Sequence, residues 1–325
     1  MKANIICGAL MVALLSCGER KQNQQFQPSS TGSINGLIVV MENDLWQGVV
    51  GDSVRAHFAK PALGLMPEQP ILSLTQIPPK VFSGAVTRAR SVLYVAQDTL
   101  TIAHIKTDLY ASPQKIAVVK GTNQQEILVG LDQLAENAIR SYKAVEIKEA
   151  QKRFQKSLNR EKALQEVLGI AMNIPSAYRV GKQEEGFVWF DRQIPKGTLN
   201  VIAYSMPNNS FSNDSTFVND IVAMRDSIGK RFIPGPDEGT YMITERAFAP
   251  YLFPLATNGL KGAEAKGIWE INGYPMAGPF LTHILNDTIN QRKVVVEGFA
   301  FAPATQKRDY MFELEAILKT VTISK

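Results

Sequence analysis

Cysteine is nearly absent. The only two, Cys7 and Cys17, fall within or just after an apolar opening segment, so the body of the chain can form no internal disulfide and holds no thiol nucleophile. Histidine is almost as scarce. His57, His104 and His283 sit in three different predicted elements, and no metal-ligand spacing links them. Gly-x-Ser-x-Gly, the phosphate-binding glycine loop, His-Glu-x-x-His and a Gly-x-Gly-x-x-Gly after a strand are all missing. No second run of about 18 apolar residues follows the opening segment, so the body is expected to have no membrane span. Neither sign of charge dominates: the formal net charge is +5, with Lys and Arg interspersed among Asp and Glu and no basic tail. Nucleic acid is therefore not an expected partner, and nothing in the sequence calls for a cofactor or a metal.

What is present begins at the first residues. Lys2 supplies a positive start and residues 5–15 an apolar stretch, too short for a span of roughly 20 residues. It ends in Leu14-Leu15-Ser16-Cys17-Gly18, which resembles the lipobox of a bacterial lipoprotein. The resemblance implies cleavage before Cys17 and acylation of its thiol and amine. At roughly 0.8 kcal/mol per buried CH₂, two or three acyl chains hold a protein durably on a membrane. Residues 1–16 are thus expected to be a signal peptide, with Cys17 the lipid attachment. Residues 17–33, polar and rich in Gln and Ser, read as a flexible tether. No acidic run follows Cys17, which favours the periplasmic face of the outer membrane.

Two halves are expected beyond the tether, residues 34–160 and 161–325. The first opens on an apolar strand at 36–41, a turn at Asp44-Leu45-Trp46 and a helix from Asp52 to Ala59 with Val50, Val54 and Phe58 on one face. Five prolines between Lys60 and Pro79 predict extended loop. Strands at 91–96, 99–105 and 116–120 precede a long helix over 125–159, with Ile127, Leu131, Leu134, Ala138 and Tyr142 as its apolar stripe. Lys148, Lys152, Arg153, Lys156 and Arg160 read as a solvated face. In the second half a helix over 161–171 leads to a hairpin of 186–192 and 198–205. A helix follows that starts at Asp214 or Ser215 and turns Phe217, Ile221, Met224, Ile228 and Phe232 inward. Strands are expected at 241–244, 267–271, 280–285 and 293–301. A closing helix over 305–319 buries Tyr310, Leu314, Ile317 and Leu318. The expected class is α+β, with mixed or mostly antiparallel sheets packed against amphipathic helices. The shared order of elements hints at two similar α+β halves.

The most distinctive residues lie late in the chain: Gly267-Ile268-Trp269-Glu270, Met276-Ala277-Gly278-Pro279-Phe280, residues 298–303, and Lys307-Arg308-Asp309-Tyr310-Met311. Together with Asp44-Leu45-Trp46, Gly51-Asp52-Ser53 and Ile77-Pro78-Pro79, they resemble a lipoprotein family of Bacteroidetes known only as a domain of unknown function. Ala277 and Ala300-Phe301 depart from that pattern, where a second Gly and Val-Tyr are expected. The late strand pair and terminal helix also resemble PsbP or Mog1-type domains, an analogy of fold alone.

The functional expectation is a non-enzymatic binding or scaffolding component of the envelope, held by its acyl chains and contacting an envelope protein or ligand. Trp269 or Phe280 is the expected apolar anchor of that contact and Arg308 its charged neighbour, since aromatic and Arg side chains dominate such surfaces. The competing readings are a hydrolase with a site between the halves and a carrier of a lipid or apolar ligand. For the hydrolase, Glu270 and Glu297 are the candidate carboxylate pair, expected on neighbouring strands. Trp46, Trp189 and Trp269 are candidate pocket walls.

Overall fold

A computed structural model describes residues 27–212 and 215–324. Cys17, the expected signal peptide, most of the tether and Asp214 lie outside the described residues. The apolar run opens the fold as β1 (Gly36–Val40). Asp44-Leu45-Trp46 is not a turn but the middle of a short helix, α1 (Asn43–Gln47). In α2 (Val49–Phe58), Val50, Val54 and Phe58 are buried as their spacing requires. That helix starts ahead of Asp52, whose carboxylate accepts from Arg55 at 2.7 Å instead of capping. The proline-rich segment is not all loop either. It contains β2 (Ser73–Ile77), which pairs in parallel with β1. With β3 (Ser91–Gln97), β4 (Ile102–Thr107) and β5 (Lys115–Gly121) it completes a five-stranded sheet in the order β2-β1-β3-β5-β4.

Next comes α3 (Gln124–Phe154). The Asn123 side chain accepts the Glu126 N–H at 3.0 Å while the Glu126 carboxylate accepts the Thr122 N–H at 2.9 Å, a reciprocal cap. Ile127, Leu131, Leu134, Ala138 and Tyr142 pack with α2 and the sheet in one apolar cluster. Tyr142 is fully buried; its hydroxyl donates to the Val92 carbonyl at 2.6 Å.

Gly169, in the left-handed conformation (φ 59°), ends α4 (Ala163–Leu168) before the strand β6 (Ile170–Ala171). A large antiparallel sheet then builds up from β7 (Arg179–Glu184), β8 (Phe187–Ile194) and β9 (Gly197–Pro207). After α5 (Phe217–Phe232) come β10 (Met242–Thr244), β11 (Tyr251–Thr257), β12 (Leu260–Ile271), β13 (Tyr274–Asp287) and β14 (Arg292–Phe301). The closing helix α6 (Arg308–Leu318) leads to β15 (Thr322–Ile323), which pairs with β6. The sheet order is β10-β12-β13-β14-β9-β8-β7, with β11 also on β12. One face packs on α5 through Ile221, Met224 and Phe232. The other packs on α4 and α6, with Leu314, Ile317 and Leu318 buried there.

The chain is therefore α+β. The two sheets, however, differ in kind: the first pairs four strands in parallel, the second is antiparallel throughout. The similar order of elements does not reflect a repeated unit. The halves meet where α6 lies against α3, Phe312 and Ala316 packing on Ile147 and Ala150. No helix among the described residues is long and apolar enough to cross a membrane.

Candidate functional site

At this junction lies a pocket of about 260 Å³. Arg308, Met311, Phe312 and Glu315 of α6 form one wall. Their spacing of three, four and seven residues puts them on one helix face, about 10 Å long at 1.5 Å per residue. Ile139 and Lys143, one turn apart on α3, form the facing wall, and Lys266 of β12 and Leu281 of β13 close the back. Residues 60–72 fold over the top with Leu65, Ile71 and Leu72 inward; Leu63 and Phe253, 47% and 36% exposed, mark the rim. Gly64 has φ +76°, a conformation that favours glycine, and a side chain there would crowd the backbone of Gly267 at 3.1 Å.

The covering segment is fastened to α6 by polar contacts between the halves. Helix starts leave N–H groups without partners inside the helix. Here the Gln69 side-chain oxygen accepts from the backbone N–H groups of Lys307 at 2.8 Å and Arg308 at 3.0 Å. The Arg308 guanidinium donates to the Pro70 carbonyl at 3.1 Å and the Ser73 hydroxyl at 3.0 Å. Asn35 donates to Asp309 at 3.1 Å, and Gln151 of α3 donates to the Ala316 carbonyl at 3.0 Å.

Charge gathers at the opposite end of the α6 wall. Glu315, 5% exposed, takes Lys143 at 2.9 Å and Lys319 at 2.8 Å, with Lys266 at 3.8 Å. Lys266 reaches Glu264 at 2.9 Å, whose other oxygen meets His283 Nε2 at 3.0 Å. Burial would raise the Glu315 carboxyl, but the three ammonium groups outweigh it and hold it well below the usual carboxylate range. Glu264 is brought down to about 2 in the same way, by the His283 hydrogen bond and Lys266 acting against burial. Desolvation lowers the Lys143 ammonium, and Glu315 only partly restores it. Three ammonium groups thus share two carboxylates, which leaves positive charge beside an apolar wall.

The later part of the chain can now be placed among known sequences. Residues 157–320 match the family described as Domain of unknown function (DUF4837). The chain belongs to that family. Residues 30–155 match a second one, Domain of unknown function (DUF8532). The pocket draws side chains from both stretches. No curated protein matches the chain in sequence. Among solved structures it is similar to the Saccharomyces cerevisiae Ran-binding protein Mog1p, at 8% identity and a TM-score of 0.30 over 48% of this chain and 90% of that one. A Mog1 point mutant gives 8% identity and a TM-score of 0.29 over 48% of this chain and 92% of that one.

Within the DUF4837 stretch, two of the three expected contact residues are core. Trp269 and Phe280 are each 1% exposed, so neither presents an apolar anchor at the outer surface, although Phe280 borders the pocket and Trp269 does not. Trp269 packs on Phe299 and Phe301. The Phe280 ring lies under the Arg225 guanidinium at 3.4 Å and over Gly267, where a Cβ would stand 2.8 Å from it. The distinctive glycine and aromatics of these motifs therefore satisfy one another inside the sheet. Arg308, like Phe280, lines the pocket, and it also ties the halves together.

The expected carboxylate pair does not form. β12 and β14 are separated by β13, and Glu297 is engaged by Arg225 at 2.8 and 2.7 Å and by the Thr282 hydroxyl. Trp46 lies apart from the other two tryptophans and stacks with Arg55, while Trp189, which donates to Asn200, and Trp269 both pack on Phe299; none of the three lines the pocket. His57 meets Asp132, and His283 is fully buried against Glu264. No group of three or more His, Cys, Asp or Glu suited to a metal occurs among the described residues. Lys143, Lys266, Glu315 and Gln69 escaped the sequence reading. One signal was there: Glu315 stands in the apolar face of α6 with Met311, Leu314 and Leu318, where a carboxylate needs buried partners.

Proposed function

We propose that this chain is a lipid-anchored binding protein of the cell envelope, whose binding site is the pocket between α3 and α6. The binding reading rests on one observation: apolar side chains from both halves converge on a cavity of about 260 Å³ that also presents Lys60, Lys143, Lys266, Arg308 and Glu315. A hydrolase has less support. Of the histidine–carboxylate pairs, neither His283–Glu264 nor His57–Asp132 lines the pocket, and the His283 imidazole is fully buried. The anchoring reading rests on Lys2, the apolar stretch after it and Cys17, as in the lipoproteins of Bacteroidetes that the late motifs resemble. It assigns the chain to the outer membrane, facing the periplasm.

Two experiments test the two parts. The neutral fluorophore N-phenyl-1-naphthylamine should bind one equivalent of the full chain with a blue shift. Ala62 also lines the pocket, and Ala62→Trp, which would fill it, should abolish that signal without altering the circular dichroism. No binding to the wild-type chain, or unchanged binding to the filled variant, would refute the site. Cys17→Ala should lose palmitate labelling and leave the membrane fraction; continued labelling would refute the anchor.

A further inference from the structure

We infer that the ligand is a single alkyl chain ending in a carboxylate, of medium length, with its anionic end at Lys143. This rests on the binding reading and goes on to name the ligand's chemistry. A cavity of about 260 Å³ is of a size for one alkyl chain of medium length. Leu65, Leu72, Ile139, Met311 and Phe312 supply an apolar wall along the length of α6. A phospholipid, with two chains and a glycerol, exceeds the space.

The charge at the far end selects the head. Lys143 has Glu315 as its carboxylate, and that carboxylate also serves Lys319 and Lys266. Lys143 nonetheless keeps 40% of its side-chain surface accessible, in a residue that lines the pocket. A cation that shares its counter-ion in an apolar setting is stabilised by a further anion. An alcohol gains only an ordinary hydrogen bond there, and a cationic head is repelled. Glu315 does not reverse this, because Lys266 and Lys319 already hold it.

The test is calorimetric titration of the full chain carrying Cys17→Ala, purified without detergent, with decanoate below its micelle concentration. One equivalent should bind. Decanol, decyltrimethylammonium and dihexanoylphosphatidylglycerol should each bind at least tenfold more weakly. Lys143→Met should bring decanoate down to the level of decanol while N-phenyl-1-naphthylamine still binds; Glu315 keeps Lys266 and Lys319 in that variant. Lys143→Arg should retain decanoate binding. Equal affinity for decanol, tight binding of the phospholipid, or no loss in Lys143→Met would overturn the ligand assignment and leave the pocket standing. Failure of the neutral fluorophore on the unsubstituted pocket would overturn the binding reading itself.

Discussion

Gln69→Leu is the most informative single change, because one side chain there ends a helix that belongs to the other half of the molecule. Gln69 is 7% exposed, and its oxygen accepts the N–H groups of Lys307 and Arg308. Leucine keeps the apolar bulk but accepts nothing, so two donors at the start of α6 lose their partner. Removing a helix cap costs about 0.5–2 kcal/mol, and a buried donor left unpaired about 1–3 kcal/mol. The expected loss is therefore about 2–3 kcal/mol. Gln69→Glu keeps an acceptor and adds a negative charge where a helix start favours one, so it should stay within about 1 kcal/mol of wild type. Urea unfolding of the three proteins reads this directly as a shift in midpoint at constant slope. A Gln69→Leu variant as stable as wild type, or a Gln69→Glu variant equally damaged, would refute the idea that this contact caps α6.

Other consequences are as specific. Glu264 has a folded pKa of about 2 against an ordinary 4.5, so its charged form stabilises the fold above about pH 4.5, and that contribution disappears as pH falls towards 2. Glu264→Gln should be less stable at neutral pH, by up to about 3 kcal/mol, with a shallower loss of stability between pH 4.5 and 2; an unchanged acid profile would contradict the assignment. Leu314→Ala and Ile317→Ala remove fully buried side chains from α6 and should each cost about 2–5 kcal/mol in thermal or urea unfolding. Gly267→Ala should destabilise the fold through its clash with the Phe280 ring, and adding Phe280→Leu to it should recover part of the loss in the same measurement.

Periodicity carried the elements whose burial is one-sided. The stripe from Ile127 to Tyr142 and the face of Leu314, Ile317 and Leu318 are both legible because each helix packs along a single direction. Short elements decided by tertiary pairing were not. β2 lies among prolines and forms because β1 offers a parallel edge, and α1 forms between a strand and a helix over residues with turn-like composition. The extent of β12 and β13, which run well beyond their apolar centres, likewise depends on their pairing with each other and with β11.

The site was harder still. Trp269 and Phe280 drew attention as an interaction surface because large aromatics next to glycines are distinctive, yet the glycine is small because the ring occupies its space. Lys143 and Lys266 look like ordinary polar positions until α6 places Glu315 between them. What makes them a site is the meeting of α3, β12 and α6, far apart in the chain. Arg308 was legible as a residue at the start of the closing helix, but its bonds to Pro70 and Ser73 depend on the same meeting.

The most direct test of the binding pocket is what the chain carries when isolated from the cells that make it. Wild-type and Ala62→Trp chains, purified in parallel, denatured and extracted, should differ by mass spectrometry in one small molecule. A near-stoichiometric medium-chain carboxylic acid should be released from the wild type and be missing from the filled variant. No released molecule, or the same one at equal yield from both proteins, would contradict it.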